Sequence, residues 1–318
     1  NYMQHFLEKA SAMYYSGHPI ISDEEFDTLS ELYNYDAVGH TVTDGIPHLY
    51  RMYSLKKVFN LNDIDVTGAA YVRTPKLDGA AVSLQYINGH LAQALTRGDG
   101  NLGRDITLKL ESLVPNTISA LDKVQITGEI VAPDTIPNAR NFAAGSLNLK
   151  DLNEFRSRAK DLRFVAYDIQ GSHINFERLS LAMDRLAQEG FDVITYFDAT
   201  GYPTDGEVFR VDNYGAFYRM GYTAHHPRGA FALKEKKDGV ITELLDVEWQ
   251  VGKSGVVSPV ALLRPVEVGD ALVSRATLHN IEYIRSLNLE IGCSVEVIRS
   301  GEIIPRIVRR VDIEKNSS

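Results

Sequence analysis

Val82-Ser83-Leu84-Gln85-Tyr86 alternates apolar and polar residues, Asn88-Gly89 follows, and Leu91 to Leu95 alternates again. Alternation has the two-residue period of a strand, and Asn-Gly between two such runs is the strongest short-range signal for a two-residue hairpin turn. The two runs are therefore antiparallel neighbours. That decides how the next segment is read. Gly98-Asp99-Gly100-Asn101-Leu102-Gly103 matches G-x-G-x-x-G, and Asp122 follows at a distance that suits a ribose contact. A dinucleotide fold of the hydride-transfer kind needs parallel strands around that loop. A loop leaving the second arm of a hairpin does not provide them, so an oxidoreductase is set aside.

Outward from this hairpin, strands are expected near Val124–Val131, Arg163–Asp168, Glu207–Val211 and Ala230–Leu233, with helices over 104–113 and 176–189 and Gly190 as a helix stop. Past about residue 240, short strands, Gly turns and one helix near 278–287 suit a small OB-type barrel. At the other end, Met3, Phe6, Leu7, Ala10, Met13 and Tyr14 recur at helical spacing. Ser16-Gly17-His18-Pro19 then breaks the pattern, and Ser22 with Glu25 reads as a capping box for a second helix through Phe26, Leu29 and Leu32. A helical hairpin this small is expected to dock on something or close over it. The fold class is α+β, with a small N-terminal helical domain, an antiparallel-sheet domain and a C-terminal barrel.

The chain has 318 residues, a formal net charge of −9 and one cysteine, Cys293. The length suits two or three domains. One thiol makes neither an internal disulfide nor a multi-cysteine zinc site, so no structural zinc is expected and a reducing, cytoplasmic setting is. No apolar run approaches a membrane span and no secretory signal opens the sequence, so no membrane partner is expected. The acidic balance disfavours non-specific binding of nucleic acid unless basic residues share one face. Residues 245–318 carry 9 basic and 10 acidic side chains, which makes the barrel the part least repulsive to a polyanion.

Lys76-Leu77-Asp78-Gly79 opens the hairpin. By itself it is an ordinary solvated turn. A lysine amine attacks phosphorus only when unprotonated, which requires burial or neighbouring cations; Lys234 and Arg210 are candidates for the latter. Gly128-Glu129-Ile130, Phe164 to Asp168, Asp205-Gly206-Glu207-Val208-Phe209-Arg210 and Ala232-Leu233-Lys234 place charges and an aromatic ring in otherwise apolar strands.

In that order, and with Thr96-Arg97-Gly98-Asp99-Gly100 between the first two, these strings resemble the nucleotidyltransferase motif series, in an ATP-grasp-like ligase domain. Arg140-Asn141-Phe142-Ala143-Ala144-Gly145-Ser146-Leu147, Trp249-Gln250-Val251-Gly252-Lys253-Ser254-Gly255, Ser274-Arg275-Ala276-Thr277-Leu278-His279-Asn280 and Gly301-Glu302-Ile303-Ile304-Pro305 resemble the NAD-dependent DNA ligases in particular. Tyr14-Tyr15 and Ile21 to Asp27 are similar to that family's nicotinamide-mononucleotide-binding domain. Aromatic faces and carboxylates suit a cationic aromatic ring.

The resemblance implies domains at 1–45 (nicotinamide mononucleotide), 46–240 (adenylation) and 241–318 (OB fold, DNA). It implies a NAD-dependent DNA ligase that seals 5′-phosphate/3′-hydroxyl nicks in duplex DNA through a lysyl-AMP and an adenylated DNA end. Lys76 would be the nucleophile, with Asp78, Glu129, Asp205 and Lys234 as its catalytic neighbours. Glu129 and Asp205 would hold Mg²⁺ or Mn²⁺. NAD would be bound by Tyr14, Tyr15, Asp23, Phe26, Asp27, Ser54, Leu55, Arg97, Tyr167, Val208 and Arg210 in addition to Lys76, Glu129 and Lys234. Arg140, Lys253, Arg275 and Arg299 would meet nicked duplex DNA.

The sequence departs from the family pattern at Thr74, where an acidic residue is usual, at Arg210 for lysine and at Asn148 for arginine. Tyr15 replaces a histidine and Phe26 a tyrosine. It also lacks the zinc module, helix-hairpin-helix repeats and BRCT domain. Three explanations stay open: a shortened piece of a longer ligase, a compact viral-type enzyme, or one subunit of a split ligase whose partner supplies the helix-hairpin-helix modules. The setting would be a bacterial or infected host cytoplasm. Two other activities also stay open: an ATP-using ligase or capping enzyme on the same fold, and a catalytically degenerate subunit that only holds nicks.

Overall fold

Asn88 and Gly89 take left-handed φ values of 48° and 81°, closing strands Ala80–Ile87 and His90–Thr96 into the antiparallel hairpin that their sequence predicts. The computed structural model describes residues 2–15, 21, 23–32, 35, 45–64, 68–120, 122–234, 239–252, 255–268, 271–299 and 305–312. The chain falls into two compact units, residues 42–235 and residues 1–41 with 236–318.

In the first unit the hairpin belongs to a five-stranded sheet of order His90–Thr96, Ala80–Ile87, Lys123–Val131, Arg163–Gly171, Asp192–Val193. Only the short last strand pairs in parallel. The strands flanking the Gly98–Gly103 loop are therefore not those of a dinucleotide fold. The unit also holds a four-stranded sheet of order Lys56–Val58, Ala230–Leu233, Thr204–Val211, Tyr71–Leu77 and a two-stranded one of Ile46–Pro47 with Leu102–Gly103. Val82, Leu84, Tyr86, Val124 and Ile126 bury one face of the larger sheet completely. Alternation puts Ser83, Gln85, Gln125 and Thr127 on the other face, and these too are buried.

The helix expected over 104–113 shrinks to Thr107–Leu110. Arg104 and Asp105 are drawn into pairing with the end of the hairpin instead: Thr96 N–H donates to Arg104 O at 3.0 Å, and Asp105 bridges Leu95. Helix Leu179–Gln188 forms as expected, and Gly190 follows it with φ of +100°. Helices Ala139–Leu147, Leu152–Ala159 and Tyr214–Met220 were not anticipated.

The second unit contains a closed barrel of strands Val240–Val251, Val257–Val268, Ala271–Thr277, Arg306–Val311 and Ser294–Ile298, in that order. Helix Ile281–Ser286 starts at Asn280, whose side chain accepts from Tyr283 N–H at 2.9 Å. The N-terminal helices Tyr2–Tyr15 and Asp23–Leu32 belong to the same unit. The breaker at 16–19 and the capping Ser22 lie outside the described residues.

The hairpin's docking partner is the barrel. Phe6, Leu7 and Ala10 share one apolar cluster with Tyr283 and Leu287. The Phe6 and Tyr283 rings lie 5.9 Å apart, and Lys9 pairs with Glu282. A two-helix element gains from the barrel the apolar surface that it cannot supply itself. Leu7→Ala is expected to cost about 2–5 kcal/mol, as for other buried leucines. Chemical unfolding followed by the fluorescence of Trp249, the only tryptophan and part of the barrel, measures this. An unmoved transition would show that the helices add nothing to the barrel's stability.

Candidate functional site

Strand Tyr71–Leu77 leaves the four-stranded sheet, Asp78 and Gly79 cross over, and strand Ala80–Ile87 enters the five-stranded one. Lys76 therefore sits at the seam. The crossing requires glycine: a Cβ on Gly79 would fall 1.9 Å from Ile130 O. Gly79 N–H donates to Glu129 Oε2 at 3.2 Å, and Asp78 N–H to Pro203 O at 2.9 Å.

Across the seam, Asp205 comes from strand Thr204–Val211, beside Gly206 with φ of +138°. A Cβ there would lie 2.2 Å from Leu233 O, so glycine lets the strand close on the segment that ends in Lys234. The Asp205 carboxylate lies 3.1 Å and 3.3 Å from Lys76 Nζ and 3.0 Å from Lys234 Nζ. One carboxylate thus holds two ammonium groups. Beside them, Arg140 Nε lies 3.2 Å from Asp78 Oδ1.

Glu129 faces this cluster from strand Lys123–Val131. Burial pushes its carboxyl up to about 8; Lys76 and the Gly79 N–H oppose the rise, while Asp78 and Asp205 add to it. Next to it, Thr127 pairs with Asp168 and Gly128 with Ala166, so Tyr167 is the extra residue of a bulge. A Cβ on Gly128 would meet the Phe164 ring at 2.5 Å, so the bulge too depends on a glycine. The Tyr167 phenol is pushed well above its ordinary range by burial and then by Glu129; Arg97 opposes the rise and Asp168 adds to it.

Arg210 is placed elsewhere than beside Lys76. Its Nη1 lies 3.1 Å from Asp168 Oδ2, and its guanidinium covers the Phe217 ring at 4.3 Å and the Tyr214 ring at 5.1 Å. Tyr214 Oη donates to Asp168 Oδ1 at 3.2 Å. Lys234 is thus the second cation of the cluster. Asp168 is the residue whose partnership sequence reading missed, although a carboxylate inside an apolar strand is itself a signal.

The remaining expectations are scattered. Ser54 Oγ donates to His225 O at 3.1 Å, and Leu55 packs on a small cluster with Val211, Phe217 and Ala230. Val208 pairs with Thr74, the position that departs from the family pattern. Asn148, another departure, accepts from Arg104 Nη1 at 2.6 Å.

In the other unit, Tyr14 and Tyr15 meet edge to face, Tyr15 is buried, and the Phe26 ring lies 6.0 Å from that of Tyr35. Asp23 and Asp27, both partly buried, belong to the second N-terminal helix. On the barrel, Arg275 lies 3.1 Å from Glu248 and Arg299 is exposed. Lys253 lies outside the described residues. Among the described residues no three His, Cys, Asp or Glu side chains converge as a metal cage.

A lysine countered by an aspartate shared with a second lysine, where the four- and five-stranded sheets meet, fits a nucleotidyltransferase-like adenylation domain, and the closed five-stranded barrel fits an OB fold. Residues 41–200 match the NAD-dependent DNA ligase adenylation domain, and residues 241–318 match the NAD-dependent DNA ligase OB-fold domain. The chain belongs to the NAD-dependent DNA ligase family. It is 32% identical to a DNA ligase of Nautilia profundicola, over 95% of this chain and 56% of the relative. It is 34% identical to a DNA ligase of Flavobacterium johnsoniae, over 94% of this chain and 51% of the relative. The chain spans about half the length of these curated relatives.

Glu129 yields a prediction with a defined sign. Its folded carboxyl keeps a proton up to about pH 8, whereas the unfolded chain loses it near the ordinary carboxylate value. The folded form therefore binds more protons across that window, and its stability falls as pH rises through it. Glu129→Gln removes this loss. The stability of Glu129→Gln relative to the parent, measured by denaturant unfolding, is expected to improve between pH 5 and pH 8.5. A constant difference would mean that Glu129 is ionised in the folded protein.

Proposed function

We propose that this protein is an NAD-dependent DNA ligase. The single observation that carries the reading is the Lys76–Asp205–Lys234 cluster at the seam of a domain matched to that family's adenylation domain. In the first step Lys76 Nζ attacks the adenylyl phosphorus of NAD. An N–P bond forms, the P–O bond to nicotinamide mononucleotide breaks, and the proton leaving Nζ has the Asp205 carboxylate within 3.1 Å. The AMP then passes to the 5′-phosphate at a nick, and the 3′-hydroxyl displaces it. Such transfers ask for positioning and charge rather than further covalent chemistry.

Lys234 supplies a fixed cation for the phosphate that displaces Asp205 from it, and Tyr167 an aromatic face for adenine. Glu129 and Asp205 would hold Mg²⁺ or Mn²⁺, which prefer hard oxygen ligands and need few protein carboxylates. Glu129 fits this role better, because Asp205 is already engaged by two ammonium groups. The ion would neutralise phosphate charge.

Tyr14, Tyr15, Asp23, Phe26 and Asp27 would receive the nicotinamide end, and the barrel, through Arg275, Arg299 and Lys253, would receive the duplex. The division into domains at 1–45, 46–240 and 241–318 belongs to the same proposal. So do a cytoplasmic setting, bacterial or in an infected host cell, and a second subunit with helix-hairpin-helix modules. For the setting, among the described residues no helix is long and apolar enough to cross a membrane.

Intact mass after incubation with NAD and Mg²⁺, following treatment with nicotinamide mononucleotide to strip bound AMP, tests the reading. One added AMP is expected with NAD, none with ATP, and none in Lys76→Ala. Tyr14→Ala combined with Asp27→Ala is expected to slow adenylation by NAD about tenfold or more, while sealing of a pre-adenylated nick is unchanged. An unmodified mass with both nucleotides would instead favour a subunit that only holds nicks.

A further inference from the structure

His48 is buried, lies outside every motif noted in the sequence, and joins three parts of the adenylation unit. Its Nε2 lies 2.8 Å from Arg97 O, and its Nδ1 lies 2.5 Å from Ser83 Oγ. A carbonyl only accepts, so Nε2 carries the hydrogen; burial lowers the ring's affinity for a second proton, and Nδ1 accepts from the Ser83 hydroxyl. Gln85 Nε2 donates to Ser83 Oγ at 2.5 Å, and Leu49 N–H donates to Gln85 Oε1 at 3.2 Å. Every hydrogen in this chain therefore has one direction.

At its end, Arg97 O takes a second donor, Gly100 N–H at 3.1 Å, which closes a turn. The same turn is tied to the segment after His48: Met52 N–H donates to Gly100 O at 2.8 Å, and His48 N–H to Asn101 O at 3.0 Å. The turn begins at Arg97, whose charge acts on Tyr167 of the five-stranded sheet.

We propose that His48 is a positioning residue for the Arg97 turn: its Nε2–H, donated to the Arg97 carbonyl, sets where the Arg97 guanidinium stands beside Tyr167 and therefore how NAD phosphate is held. This rests on the ligase reading above, in which Arg97 meets NAD.

His48→Gln retains a donor near the Nε2 position, whereas His48→Asn places its amide near Nδ1 and leaves Arg97 O without the histidine. Both keep a polar group toward the network. Three readouts separate positioning from mere stability: the single-turnover rate of AMP attachment from NAD, the rate of tryptic cleavage after Arg97, and the melting temperature. His48→Asn is expected to slow attachment about tenfold or more and to speed cleavage after Arg97 by about the same factor. His48→Gln is expected to stay within about twofold of the parent in both, with a melting temperature matching that of His48→Asn.

Equal losses in the two variants overturn the proposal. So does an unchanged rate in His48→Asn, or a slower rate without faster cleavage. If the parent takes no AMP from NAD, the ligase reading falls, and the cleavage comparison by itself decides whether His48 fixes the turn.

Discussion

Asp205 stands 3.0 Å from one ammonium group and 3.1 Å from another, and the arrangement of the adenylation unit follows from that contact. Lys76 and Lys234 arrive from different strands of one sheet, and two cations set side by side without a shared anion would repel each other. The carboxylate cancels that repulsion, and in the proposed reaction an entering phosphate would replace Asp205 as the counter-ion. Glu129 contributes in the opposite way. Held largely protonated by burial, it adds no second negative charge next to Asp205 and Asp78 until a cation or a substrate lowers that cost.

The backbone that permits this contact is made by glycines at close approaches. Gly79 lets the chain cross between the two sheets, Gly206 lets the Asp205 strand close on the segment before Lys234, and Gly128 makes room for the bulge that carries Tyr167. Charge and ring chemistry are carried by the neighbours of these glycines. This explains why Lys76-Leu77-Asp78-Gly79, Gly128-Glu129 and Asp205-Gly206 could be found as strings. Each string joins a conformational requirement to a chemical one within two to four residues.

Features built over long sequence separations were less legible. The antiparallel hairpin is readable because an Asn-Gly turn makes its pairing local, and the barrel because turns interrupt its strands, although Val240–Val251 and Val257–Val268 run to 12 residues each rather than the short strands expected. Helix Ala139–Leu147 gives little helical signal in the sequence although Ala139, Ala143 and Leu147 are buried at helical spacing, because small side chains and a Gly-Ser pair weaken it. The expected helix over 104–113 lost its start to pairing with the hairpin, a contact that local propensity does not contain. Arg210 was grouped with the site lysines because all three are cations, whereas Asp168 and the Phe217 ring hold it among aromatic side chains. His48, Ser83 and Gln85 escaped notice for the same reason: the polar residues of an alternating strand look like a solvated face, and here that face is covered by residues 46–52.

On the barrel, the electrostatic logic concerns exchange as well. Arg275 pairs with Glu248, Arg264 with Glu243, and Arg309 with Glu296. The arginines of the first two pairs are more than half exposed, where an ion pair contributes at most about 1 kcal/mol. If DNA binds there as proposed, a phosphate taking Arg275 would displace Glu248 at small cost. A near-neutral barrel with paired arginines gains little non-specific affinity from charge alone. In the proposed ligase, its hold on DNA would then depend on several contacts being made together, which would suit an enzyme that recognises an interrupted duplex regardless of sequence and leaves it once sealed.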